Sequence, residues 1–295
     1  MTTAQERAVV FPCDAEKLIG IVHIPPVASD CGVLIVVGGP QYRVGSHRQF
    51  VLLARYLAAN DVPVMRFDCR GMGDAEGEIS TYEDFAVDIR AAIDAFFVNY
   101  PHLESVILWG LCDAASAAMF YGHSDSRVKG MILLNPWVRT EAGQAQAYLR
   151  HYYINRLLDK AFWKKTLSGK LDLKKSTSSL WDLVNKARPH KEQAAPDAPG
   201  ENTAPIIMPL RKRMYDGLAQ FTGWVGIIIS GDDLTAAEFE DMVKGSKAWK
   251  KLLRKKAVEF HYLPEANHTF SKQVWRDEVA GCTLAWVRRE LQCQK

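Results

Sequence analysis

The sequence predicts an α/β fold, a mostly parallel twisted sheet with helices on both faces and a helical lid inserted late in the chain. Three observations predict it. Short apolar runs alternate with amphipathic helical segments from residue 33 to residue 134, the pattern of parallel strands joined by crossover helices. The alternation breaks at about residue 139 and resumes near 225. Before the break, an apolar run at 106–108 leads through Trp109, Gly110 and Leu111 to Cys112, and small residues Ala114, Ala115 and Ala117 follow. That G-x-C-x-A spacing reads as a strand, a sharp turn and a helix with a thiol at the apex.

Each element has its own signal. Residues 8–11 and 18–24 are β-rich and flank the turn-like 12–17, a hairpin, and Pro25-Pro26 ends it. Residues 33–37 form a short buried-type strand. Residues 46–60 read as a helix with Phe50, Leu53, Ala54 and Leu57 on one face, and Ser46-x-x-Gln49 is a candidate capping box. A strand follows at 62–67, then a helix at 84–97 with Phe85, Ile89, Ile93 and Phe96 on one side. Next come a strand at 106–109, a helix at 114–121 and a strand at 128–134. In the broken stretch, residues 148–162 read as an amphipathic helix, and the Pro- and Ala-rich 187–209 as a loop. The order then resumes with a strand at 225–230, a helix at 236–244, a strand at 257–263 and a long helix at 272–291. Residues 1–138 and 221–295 are therefore expected to form the core, and 139–220 the lid.

Bulk properties exclude several classes. A net charge of +3 over 295 residues gives no case for nucleic acid. The apolar runs fall far short of the ~20 residues a membrane span needs. The polar start from Met1 to Arg7 has no signal-peptide core behind it, so a cytoplasmic location is expected. The six cysteines, Cys13, Cys31, Cys69, Cys112, Cys282 and Cys293, form no C-x-x-C pair, so neither a metal site nor a redox motif is expected.

The chemistry centres on Cys112. A thiol is nucleophilic to the extent that it is thiolate, and a helix N-terminus favours the anion. His268, in the loop between the last predicted strand and helix, is placed to take the thiol proton. Asp233 is the favoured residue to orient that histidine, with Asp232 as the alternative; an N-cap on the following helix is the competing use of either. For a developing oxyanion, the expected donors are the backbone N–H of Asp113 and that of Gln41 or Gly39, because Pro40 has none. Tyr42 and Arg43, in the same loop, are candidate substrate-binding residues. The turn from Asp68 to Asp74 contains a G-x-G that fails the dinucleotide spacing and reads as structural, with Asp68 and Arg70 as a candidate pair. The Lys-rich stretch 160–175 is read as a solvated surface in preference to an anion site.

With serine in place of Cys112, this turn is the nucleophile elbow, G-x-S-x-G, and the chain order of nucleophile, acid and histidine also matches. The sequence thus resembles the α/β-hydrolase superfamily over nearly its whole length, through Gly38-Gly39, Phe67-Asp68-x-Arg70-Gly71-x-Gly73, Gly110-x-Cys112-x-Ala114, Asp232-Asp233 and His268. It is more narrowly similar to hydrolases associated with the exosortase A system, type 1, through the run from Gly38 to Phe50 and Gly231-x-Asp233-Leu234-Thr235-Ala236. The resemblance implies an α/β-hydrolase fold without a cofactor and an association with bacterial exopolysaccharide and protein-sorting systems. Cysteine for serine and Ala114 for glycine are departures, shared with dienelactone hydrolases and polyester synthases. The expected activity is hydrolysis of an ester, thioester or lactone of a small-molecule acyl substrate, through a Cys-His-Asp triad and a covalent thioester. An acyltransferase or cyclase would share that intermediate, and a non-catalytic binding protein would lack it.

Overall fold

In a computed structural model of the chain, the described residues are 4–39, 41–79, 81–138, 209–256 and 258–293. The chain divides into two compact units, one of Met1–Trp137 with Pro209–Lys295 and one of Val138–Met208. Apart from Val138, the second lies outside the described residues, and with it the expected helix at 148–162, the Lys-rich stretch and most of the expected loop at 187–209.

The first unit is built on one eight-stranded sheet. In chain order its elements are β1 (Gln5–Cys13), β2 (Glu16–Ile24), β3 (Cys31–Val36), α1 (Gln49–Ala59), β4 (Val64–Phe67), α2 (Ala86–Asn99), β5 (Ser105–Leu111), α3 (Asp113–Tyr121) and β6 (Val128–Leu134). Then follow α4 (Leu210–Gln220), β7 (Trp224–Asp232), α5 (Leu234–Gly245), α6 (Lys247–Lys255), β8 (Glu259–Asn267) and α7 (Gln273–Cys293). The strand order is β1-β2-β4-β3-β5-β6-β7-β8. β1 and β2 form the expected hairpin and β2 runs antiparallel to β4; from β4 to β8 every pairing is parallel.

Every residue of β3 and of β5 is buried. Both faces of these strands are covered, which is why they read as continuous apolar runs without alternation. On one face, Phe50, Leu53 and Leu57 of α1 join Trp275, Val279 and Val287 of α7 in a single core with Ile107 and Trp109 of β5. Phe50 meets the Trp109 ring edge-on at 5.7 Å. Fully burying a side chain the size of Leu57 contributes about 2 kcal/mol. On the other face, α2 contributes Ile89, Ile93 and Phe96, all fully buried. The small residues Ala114, Ala115 and Ala118 let α3 lie close against the sheet.

Several local expectations need correction. The capping box at Ser46 does not form. Ser46 donates its N–H to the Gln41 side chain instead, and α1 begins at Gln49 behind left-handed His47 and Arg48. Asp68 and Arg70 are not partners. Asp68 takes Arg43 and Arg70 takes Asp88, the latter at 2.9 Å. Residues 210–220, expected within the lid, form α4, which packs on α3 inside the first unit. α6 was not anticipated: its lysines mask Trp249, Leu252 and Leu253, which are buried on one helical face.

Candidate active site

The parallel strands β5, β7 and β8 all end at the same edge, and the loops after them carry Cys112, Asp233 and His268. Such edges are where open α/β sheets collect their reactive groups. At the end of β5 the Cys112 N–H donates to Leu134 O of the neighbouring strand at 2.8 Å. Its backbone sits at φ 64, ψ −122, a strained conformation for a residue with a side chain, costing on the order of 1–3 kcal/mol. The surroundings hold it there, since its carbonyl accepts the N–H groups of Ala115 and Trp137, each at 3.1 Å. Gly110 is required below it, because a Cβ at that position would lie 2.7 Å from the Ala114 carbonyl carbon. That contact explains the glycine-to-alanine spacing of the motif.

Asp233 and His268 meet because Asp232 of β7 pairs in register with Asn267 of β8, so the next residue of each strand turns out over the same edge. His268 Nδ1 lies 2.7 Å from Asp233 Oδ2. A carboxylate on Nδ1 places the ring proton there and leaves Nε2 for proton transfer. Asp233 also caps α5, accepting the N–H of Thr235 at 3.0 Å and of Ala236 at 3.3 Å. One residue therefore does both jobs between which the sequence left two aspartates competing, while Asp232 is exposed.

Cys112 and His268 line one cavity of about 300 Å³, together with Gly39, Gln41, Tyr82 and Asp113. Burial pushes the Tyr82 hydroxyl up to about 12. Tyr82 and the nearby Trp137 were not picked out from the sequence, where nothing marks either among the chain's other aromatics. A second cavity, of about 510 Å³, lies between α1 and α7 and contains no member of the Cys112, Asp233 and His268 set.

Four of the other cysteines sit where burial disfavours the thiolate. Burial pushes the thiols of Cys13 and Cys31 up to about 11 and that of Cys282 to about 12, and holds Cys69 well above the ordinary value.

The expected oxyanion donors fare unevenly. The Gln41 N–H donates to Gly39 O at 2.8 Å. The Gly39 N–H donates to the Asp113 carboxyl at 2.7 Å. Both loop amides are thus already engaged, and the backbone N–H of Asp113, the third expected donor, bonds to its own carboxyl group. Tyr42 and Arg43 are not brought to the cavity. Tyr42 is exposed, and the Arg43 guanidinium is tied to Asp68 and, at 2.7 Å, to Asp74. Arg43 secures the loop against the buried Asp68 carboxylate.

Residues 32–193, more than half of the chain, match the family Hydrolase_4, described as serine aminopeptidase, S33. The chain belongs to the Hydrolase_4 family. Its place in the α/β-hydrolase superfamily agrees with the strand order and with the turn at Cys112. The match includes Cys112 and ends before Asp233 and His268. Among solved structures, this Hydrolase_4 member is similar to an esterase of Pyrococcus furiosus at 15% identity, with a TM-score of 0.64, over 97% of this chain and 91% of that one. It is similar to the ferulic acid-bound Est1E of Butyrivibrio proteoclasticus at 17% identity, TM-score 0.61, over 97% and 100%. It is also similar to a dienelactone hydrolase of Anabaena variabilis at 14% identity, TM-score 0.57, over 98% and 99%. At these identities the likeness shows the α/β-hydrolase fold alone. No curated protein matches the chain. Among the described residues, no helix is long and apolar enough to cross a membrane, and no group of three or more His, Cys, Asp or Glu could hold a metal ion.

Proposed function

We propose that this Hydrolase_4 member hydrolyses an ester, thioester or lactone through a covalent thioester on Cys112. One observation carries the reading. Cys112, held at φ 64 after β5, shares a cavity with His268, whose Nδ1 is 2.7 Å from Asp233 Oδ2. The combination of a nucleophile, a base and an orienting acid, in the chain order of α/β-hydrolases, supports acyl transfer.

The steps follow from those positions. His268 Nε2 takes the thiol proton as Sγ attacks the acyl carbon. The Asp113 N–H, at the start of α3, exchanges its bond to its own carboxyl group for one to the oxyanion. Collapse breaks the bond to the leaving group, which takes the proton from His268. Water, deprotonated by the same nitrogen, then cleaves the thioester. Asp233 holds the ring's orientation and stabilises the imidazolium at both stages. The dienelactone hydrolase and esterase neighbours are compatible with an ester or lactone, and the run from Gly38 to Phe50 adds the link to exosortase-associated hydrolases. We place the reaction in the cytoplasm, where thiols stay reduced.

The test is a panel of p-nitrophenyl esters and acyl thioesters, assayed with Cys112→Ala and His268→Ala. Each variant is expected to lower kcat/KM by about 1,000-fold or more. Full activity in Cys112→Ala would remove the thiol from the mechanism. Product analysis with an added alcohol or amine separates hydrolysis, which yields only free acid, from acyl transfer.

A further inference from the structure

β6 ends at Leu134 and the chain then leaves the sheet, with Asn135 at φ 43 and Pro136 next. The departing segment grips the nucleophile turn at two points. Leu134 O accepts the Cys112 N–H at 2.8 Å, and the Trp137 N–H donates to Cys112 O at 3.1 Å. Ser116 Oγ of α3 adds a third tie, donating to Trp137 O at 2.7 Å. The same segment also grips β7. The last backbone pair between β6 and β7 is Leu134 with Ile228, and the Asn135 N–H donates to Ile228 O at 3.1 Å. Past that rung the Asn135 side chain takes over from the backbone. Its Oδ1 accepts the Ser230 N–H at 2.9 Å, and its Nδ2 donates to Ser230 Oγ. A side-chain amide carries the donor and acceptor of a peptide group, so Asn135 extends the ladder by one rung. Both residues of this clasp are buried, Asn135 completely.

Ser230 lies three residues before Asp233. On its other side the end of β7 is fitted to β8. A Cβ at Gly231 would lie 2.7 Å from the Pro264 carbonyl carbon, and Asp232 pairs with Asn267. That fit registers Asp233 with His268, which follow β7 and β8. The Asn135 clasp registers the pair with the segment that holds Cys112. Glycine would satisfy a left-handed turn by itself; the two bonds to Ser230 are what asparagine adds. We propose that Asn135 is a positioning residue, which acts through Ser230 to set the reach between Cys112 and His268. This rests on those two acting as nucleophile and base. The reach matters because a misplacement of about 1 Å between reacting groups can cost about 100-fold in rate.

Asn135→Gly keeps the left-handed turn and removes the clasp. The probe is iodoacetamide, with alkylation of the Cys112 peptide followed across pH by mass spectrometry. Urea unfolding identifies a temperature at which every variant is folded. His268→Ala supplies the profile of the Cys112 thiol without its base. The Asn135→Gly profile is expected to move from the wild-type curve towards that of His268→Ala. For p-nitrophenyl acetate, kcat should fall about 10-fold or more, with KM changed by less than about 2-fold. Lower stability with the wild-type profile and kcat would make the clasp a structural bond alone and overturn the proposal. If Asn135→Gly does not fold, Ser230→Ala, which loses one of the two bonds, is the deciding variant. A profile moved part-way towards that of His268→Ala supports the proposal, and a wild-type profile overturns it. If the wild type and His268→Ala have the same profile, the pairing of Cys112 with His268 itself fails, and the Asn135 proposal with it.

Discussion

Asp233 Oδ2 lies 2.7 Å from His268 Nδ1 while the same carboxylate caps α5 through the N–H groups of Thr235 and Ala236. The helix start thereby fixes the carboxylate, and the carboxylate fixes the imidazole. The two roles separate by substitution. Asp233→Asn keeps a capping side chain but loses the charge that stabilises an imidazolium, and kcat/KM is expected to fall by about 100-fold or more at nearly unchanged stability. Asp233→Ala should lose activity to a similar extent and also about 1 kcal/mol of stability. Asp232→Asn, at an exposed position, should change neither. Steady-state kinetics and urea unfolding of the three variants check this.

Cys112 should be the first thiol to react. Burial raises the thiols of Cys13, Cys31, Cys69 and Cys282, and only the thiolate is alkylated. Peptide mapping after brief iodoacetamide treatment at pH 7.5 should find Cys112 labelled at least ~10-fold faster than these four. Uniform labelling would fit a binding protein better than an enzyme.

Arg43 was expected to touch substrate, yet its guanidinium holds the fully buried Asp68. Removing it leaves that buried carboxylate with the backbone N–H groups of residues 43 and 74 but no cation. Arg43→Ala is expected to cost about 3 kcal/mol of stability, with KM for small esters unchanged in the folded protein. A raised KM with intact stability would return Arg43 to the substrate.

Stability should fall in mild acid because of His23. Its ring is 1% exposed and accepts a hydrogen bond from Arg66 Nε at 3.0 Å, so it is seated in the neutral form. Burial, helped by the charge of Arg66 and opposed by Glu6, pushes it down to about 4 from an ordinary 6.5. The unfolded chain therefore binds a proton first. Stability is full above about pH 6.5 and declines towards pH 4, by about 3 kcal/mol. Urea unfolding at pH 7 and pH 4.5 measures the decline, and His23→Gln should flatten it.

The sequence made the sheet legible because buried parallel strands leave continuous apolar runs, as in β3, β5 and β6. Cys112 was legible because Gly110 and Ala114 must be small for the turn to form. Asp233 and His268 were legible because both follow strands that end at one edge. What stayed hidden depends on partners far away in the chain. Gln41 competes for Ser46 and cancels the capping box. Asp68 claims Arg43, which a motif alone cannot distinguish from a substrate ligand. The Asp113 side chain was overlooked because the residue after a nucleophile is expected to act through its backbone, and only the fold shows its carboxyl group on the Gly39 N–H. α6 was missed because five of its nine residues are lysine or arginine, which mask the buried Trp249 and Leu252.

The central claim is that an acyl group becomes bonded to Cys112, and trapping that adduct tests it most directly. The protein is mixed with p-nitrophenyl acetate, quenched in acid within the first turnover, digested and mapped by mass spectrometry. The account predicts one acetyl group on the peptide that contains Cys112, absent from Cys112→Ala. Product released from wild type and Cys112→Ala at equal rates, with no acetyl on that peptide, would contradict it.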